Sequence, residues 1–235
     1  SAEPIHGAGG LLFPPDSYWP EIQRICKKYD VLLHLDEVIT GFGRTGNWFG
    51  AQTFNITPDI MTLAKGISSG YQPISAVALG PRVGDALATA NEELVHGFTW
   101  SGHPVACAVS LKNLEIIERE KLVERVHDDI GPYFQAKIRE LTNHPLVGEV
   151  RGIGLLGAIE LVKDKAKREF FPSDANVGTL CRNHCFANGL VMRAIRDTMV
   201  LAPPLIVKRE EVDEIVRLAR RCFDLTASEL GLSTS

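Results

Sequence analysis

The chain lacks several features that would assign it to a special class at once. It has no Cys-x-x-Cys pair. It has no apolar run near the roughly 18 residues of a membrane helix. No basic segment leads into an apolar one at the start, so no signal peptide is visible. It has no basic excess: the formal net charge is −4 and the pI is about 6.0. A nucleic-acid surface usually needs a basic stripe, so that class is disfavoured. The cysteines number five, an odd count. Reduced thiols in a cytoplasmic protein are the natural expectation. Cys181 and Cys185 lie one helical turn apart beside His184, but no third and fourth ligand is evident, so both are expected in the core and no metal is expected. The chain also lacks an initial methionine. It opens at Ser1 and enters a glycine-rich loop at once, as if it were the middle of something longer.

What is present is an ordinary globular composition. Of 235 residues, 45% are hydrophobic and 23% charged, and the mean hydropathy is +0.01. That excludes a wholly disordered or fibrous chain. The length fits one large domain or two small ones. Asp16, Ser17 and Pro20 announce a helix through Tyr29. Val31–Leu35 is a short apolar run that suits a buried parallel strand. Strands are expected at 60–64 and 75–79. Helices are expected at 81–90, from His103 to Glu118, and from Leu122 to Leu141. This alternation is α/β. Beyond it, strands at 147–151, 155–162, 190–193 and 199–202 accompany helices at 174–188 and from Glu210 to Leu225. That pattern is α+β, and the boundary is expected near residue 120.

Three motifs carry chemistry. Gly152, Gly154 and Gly157 form a G-x-G-x-x-G string. A dinucleotide site needs that string at a strand-to-helix turn, and a strand is expected after it, so a bend between two strands fits better. Asp36 follows an apolar strand, at the edge where α/β proteins bind ligands. Its bland alternatives are a helix cap or an ion pair with Arg44. Lys65 follows another apolar strand and precedes Gly66. An amine in an apolar setting loses proton affinity and can attack a carbonyl. Its bland alternative is a lysine that reaches solvent. Together, a strand-end acid and a strand-end lysine are what pyridoxal phosphate chemistry requires.

The pattern Leu35-Asp36-Glu37-Val38-Ile39-Thr40-Gly41-Phe42-Gly43-Arg44-Thr45-Gly46, with Pro58-Asp59-Ile60 and Ala64-Lys65-Gly66, resembles the class III pyridoxal-phosphate aminotransferases. Glu3-Pro4-Ile5, the stretch His96 to Pro104, and Ala202-Pro203-Pro204-Leu205 also match. The nearest subgroup is the amine:pyruvate or ω-amino acid:pyruvate transaminases. The resemblance implies fold type I, with part of the large α/β cofactor domain at 1–119 and a small α+β C-terminal domain at 120–235. It implies that Lys65 is the Schiff-base lysine and the proton carrier. It implies that Asp36 pairs with the pyridine nitrogen, Val38 packs on the ring, and Thr99 binds the phosphate held by the neighbouring subunit of a homodimer. In Met192-Arg193-Ala194, Arg193 is implied to bind a substrate carboxylate.

There are departures from the family pattern. Leu201 stands where relatives acting on ornithine, acetylornithine or 4-aminobutyrate carry an arginine, which argues against those subgroups. Arg196 stands where relatives often have glycine, and Trp100 replaces a more usual Tyr or Phe. Family members are roughly twice this length, and the glycine-rich phosphate loop and ring-stacking aromatic are missing here. The chain therefore looks like a C-terminal half, with little activity expected of it alone. The implied reaction is ping-pong transfer of an amino group from an amine or ω-amino acid to pyruvate or another oxo acid. The rivals are a same-fold aminomutase or decarboxylase, a truncated non-catalytic chain, and a nucleotide binder using Gly152–Gly157.

Overall fold

Helix α1 (Tyr18–Tyr29) turns Trp19 inward and stops at Asp30, whose left-handed backbone (φ 55°) lets its N–H bond back to the Cys26 carbonyl. In the computed structural model, which describes residues 1–90 and 93–232, this helix belongs to the first of two units. The first comprises Ser1–Ile5 and Phe13–Glu124, and the second comprises His6–Leu12 and Arg125 onward.

In the first unit, β1 (His34–Asp36) is shorter than the apolar run suggests. The Leu33 N–H is taken by the Asp59 carboxylate at 2.7 Å, and the Val31 N–H by Cys26 of the preceding helix. Only the end of the run is left for the ladder. A short helix, α2 (Gly50–Thr53), leads towards β2 (Ile60–Leu63), which pairs parallel to β1 with Asp36 opposite Thr62. The third strand, β3 (Ala76–Leu79), runs antiparallel to β2, a reversal the apolar pattern does not reveal. Helices α3 (Pro81–Ala90) and α4 (Pro104–Arg119) follow. Trp19, Leu33, Leu35, Ala51 and Ile56 form a small core between α1 and the sheet.

The second unit is entered through α5 (Leu122–Arg125), which passes into one wide π turn at Val126–Ile130 and then α6 (Gly131–Arg139). The sequence reads as one helix here. Pro132 has no N–H to give, and the Gly131 N–H reaches five residues back to Val126. A Cβ on Gly131 would lie 2.1 Å from that carbonyl, so only glycine fits.

Strands β4 (Val147–Ile153) and β5 (Leu156–Leu161) form a hairpin. Gly154 (φ 53°) sits in its turn and Gly152 pairs with Gly157. The glycine string is thus a bend between strands. Helix α7 (Val177–Ala187) precedes β6 (Arg193–Ile195) and β7 (Thr198–Leu201), and α8 (Arg209–Glu229) closes the unit. The strand at 190–193 expected from sequence instead starts at Arg193. The sheet order is β4-β5-β7-β6, antiparallel throughout.

One continuous core fills this unit, built on fully buried Phe134, Ile138, Ile159 and Phe223. Cys181, Cys185 and Cys222 lie within it, where burial and the neighbouring sulfurs raise the thiol of Cys185 and push that of Cys222 up to about 12. All five cysteines are free. The loop His6–Leu12 joins this unit because Arg151 donates to the carbonyls of Leu11 (3.0 Å) and Gly10 (2.8 Å). Among the described residues no helix is long and apolar enough to cross a membrane.

Candidate active site

Parallel pairing of β1 with β2 sends both chains out of the same edge of the sheet. Asp36 is the last residue of β1, and Lys65 follows β2 by two residues. Parallel neighbours lie about 4.8 Å apart, so the acid and the amine leave adjacent strands on one side. This is the edge at which open α/β sheets bind ligands.

Burial alternates along the end of β1. Leu35 and Glu37 are buried, while Asp36 and Val38 are only partly so. Glu37 is fully enclosed, and its carboxylate accepts hydrogen bonds from the Thr40 hydroxyl (2.5 Å) and from the N–H groups of Gly50 (2.8 Å) and Ala51 (2.6 Å). A buried carboxylate must be met in this way, since isolation would cost several kcal/mol. Glu37 thereby ties the start of α2 to the end of β1 and closes the glycine-rich loop between them. Sequence reasoning gave Glu37 no role. The available signal was a threonine three residues on and a Gly-Ala pair opening a helix. Asp36 remains on the other face, where its Oδ1 accepts the Val38 N–H at 3.0 Å.

The loop folds back on the lysine. Phe42 is buried with a left-handed backbone (φ 58°), and its N–H bonds to Trp48 at 2.6 Å. Its side chain lies against Gly66, where an added Cβ would come within 3.0 Å of the ring. Lys65 itself is left-handed (φ 43°) and opens a single 3₁₀ turn, Lys65–Ile67. Such a backbone is strained for a residue with a side chain, and strain of this kind collects at functional sites. The lysine is exposed, not set among apolar side chains as the sequence suggested. Within the loop, burial lowers the basicity of the Arg44 guanidinium to about 10.

The other expected residues are carried by other segments of the chain. Thr99 is on an exposed turn before α4, with the Ser101 hydroxyl accepting the Phe98 N–H beneath it. Arg193 opens β6 in the second unit and is exposed. Arg196 forms the β6–β7 turn with φ 52°. Glycine takes a left-handed backbone freely, which is consistent with the glycine that the family resemblance implies at this position. Asp197 beside it accepts the Gly178 N–H of α7 at 2.8 Å.

An acid and a lysine at adjacent parallel strand ends, joined by a glycine-rich loop, is an arrangement that sequence comparison can test. Residues 2–223 match the family described as aminotransferase class-III. The chain belongs to the class III aminotransferases. It is similar to the putrescine–pyruvate aminotransferase of Pseudomonas aeruginosa, 52% identical over 227 residues, which cover 97% of this chain and 49% of that protein. It is also similar to the mitochondrial γ-aminobutyrate transaminase 1 of Solanum lycopersicum, 44% identical, covering 92% of this chain and 42% of the relative. γ-Aminobutyrate, the donor that Leu201 argued against, is therefore named among the relatives of this class III chain. Among solved structures, the ω-transaminase of Pseudomonas jessenii in complex with PMP superimposes with a TM-score of 0.92 at 46% identity, over 97% of this chain and 51% of that one. The chain thus spans about half the length of the relatives it matches. The fold expected from the resemblance, a partial α/β domain followed by an α+β one, is the fold of this class III chain.

Proposed function

We propose that the full-length protein is a pyridoxal-phosphate-dependent transaminase that moves an amino group from an amine or ω-amino acid to pyruvate or another oxo acid. The observation that carries this reading is the exit of Asp36 and Lys65 from neighbouring parallel strands at one sheet edge. The donor set fits the cofactor: an amine for its aldehyde and a carboxylate for its ring nitrogen. When bound, pyridoxal phosphate supplies a ring that accepts electrons from the substrate carbon.

The chain's own residues then have distinct tasks. Lys65 is the attachment point, and its amine also moves the proton at the substrate carbon. Asp36 keeps the ring nitrogen protonated, and Val38 packs against a ring face. The Thr99 hydroxyl donates to the phosphate in a neighbouring copy, which makes the active unit a homodimer with shared sites. Arg193 offers a planar pair of donors to the carboxylate of pyruvate or of an ω-amino acid. Five free thiols support a cytoplasmic setting.

The test is intact mass and peptide mapping of the full-length protein after incubation with pyridoxal phosphate and borohydride reduction. A single adduct on Lys65, lost in Lys65→Ala, is expected. Alanine should then accumulate from pyruvate and a primary diamine. No adduct on Lys65 would overturn the reading. An adduct without alanine would favour a same-fold aminomutase or decarboxylase.

A further inference from the structure

Lys65 has a strained backbone and an exposed side chain, so something other than packing around its amine must fix its direction. The turn that follows it is held from two sides. On one side Phe42 lies against Gly66. On the other, Asn113 of α4 donates through Nδ2 to the carbonyls of Gly66 (2.9 Å) and Ile67 (3.1 Å). The Ser69 hydroxyl donates to Asn113 Oδ1 at 2.7 Å. Both ends of the amide are used. Two carbonyls demand its NH₂ end and a hydroxyl takes its oxygen, so the side chain has one orientation. None of these hydrogen bonds involves the Lys65 side chain.

A turn gripped in this way keeps the residue before it in a conformation that it would otherwise leave. We propose that Asn113 is a positioning residue for Lys65: through the Gly66 and Ile67 carbonyls it fixes the left-handed backbone from which the lysine presents its amine. This rests on the transaminase reading of Lys65 and extends it to a residue on a helix more than forty positions away in sequence.

The test uses the full-length protein and the variants Asn113→Leu and Ser69→Ala. Asn113→Leu keeps the heavy-atom count and branching and removes all three hydrogen bonds, whereas Ser69→Ala removes one and leaves both carbonyl contacts. Three quantities are read: the rate at which pyridoxal phosphate becomes borohydride-trappable on Lys65, the pH midpoint of the visible band of the imine before reduction, and the melting temperature. Asn113→Leu should slow trapping roughly tenfold and move the midpoint by about half a unit. Ser69→Ala should do the same in smaller measure. A merely structural role would lower the melting temperature and leave the midpoint in place, and that result overturns the proposal. Should Asn113→Leu fail to fold, Ser69→Ala decides, and a parental midpoint and trapping rate in it overturn the proposal. If the parent protein itself gives no adduct on Lys65, the transaminase reading has failed rather than the role of Asn113.

Discussion

The two units bury their apolar residues to different degrees. In the second, one core joins residues of the helices and the sheet, and Phe134, Ile138 and Phe223 are wholly enclosed. In the first, α3 buries no residue at all. Val77 and Leu79 on β3 are 57% and 42% exposed, and Val95, Phe98 and Trp100 stand in solvent. Large apolar side chains left exposed in this number suit a surface that is covered by another, and these 235 residues do not cover them. The candidate catalytic pair lies in the less enclosed unit. The second unit has its own core, and the first has its chemistry but not its full burial.

The largest effect that tests this contrast is truncation in the second core. Phe134→Ala should lower stability by about 3–5 kcal/mol in urea unfolding. Leu79→Ala, on the bare strand of the first unit, should change it by less than about 0.5 kcal/mol. A large loss at Leu79 would show that a partner already covers that strand in solution and would break the comparison.

Next in size is the polar tie that accompanies the small core of the first unit. Glu37→Gln turns one acceptor into a donor facing backbone N–H groups. It should cost about 1.5–3 kcal/mol, with faster hydrogen exchange at Gly50 and Ala51. Unchanged exchange would mean that the loop is held by something else.

Smaller, and opposite in sign, is Arg196→Gly. It relieves a left-handed backbone and should stabilise the second unit by about 1 kcal/mol, read as a rise in melting temperature of a few degrees. If Arg196 also serves the carboxylate of an acceptor, the same change will raise KM for pyruvate.

The smallest effect is a pH slope. His144 is buried, its Nδ1 accepts the Leu146 N–H at 3.1 Å, and its Nε2 faces Asp224 at 3.3 Å. Burial lowers its pKa, with Arg220 adding to the effect and Asp224 opposing it. The unfolded chain therefore binds a proton more readily than the folded one. Stability should be full above pH 6.5 or so and fall as the pH drops through that value towards the lower folded pKa. Melting curves of the parent and of His144→Asn across pH 5–8 would separate this slope from the background.

Much of this could be read in advance. Helical periodicity located α1, α4 and α8, because each buries one face. Asp36 and Lys65 were legible because a charged residue directly after an apolar run is conspicuous. Glu37 and Asn113 were not. Glu37 acts through backbone N–H groups thirteen and fourteen positions away, and Asn113 through carbonyls more than forty positions away. Such contacts leave no local spacing in the sequence. The direction of β3 was hidden for a similar reason, since a short apolar strand reads the same way in either direction. The π turn was hidden because the apolar pattern from Leu122 to Leu141 reads as one continuous helix, whereas the backbone accommodates Pro132 by widening one turn.

The placement of the cysteines gives the protein a native chemical clock. Cys26 and Cys107 lie in the first unit and are partly accessible, whereas Cys181, Cys185 and Cys222 are sealed in the second. An alkylating reagent should therefore label the chain in two stages without any engineered probe. The early pair would report breathing of the unit that bears Lys65. The late trio would count only those molecules whose second core has opened.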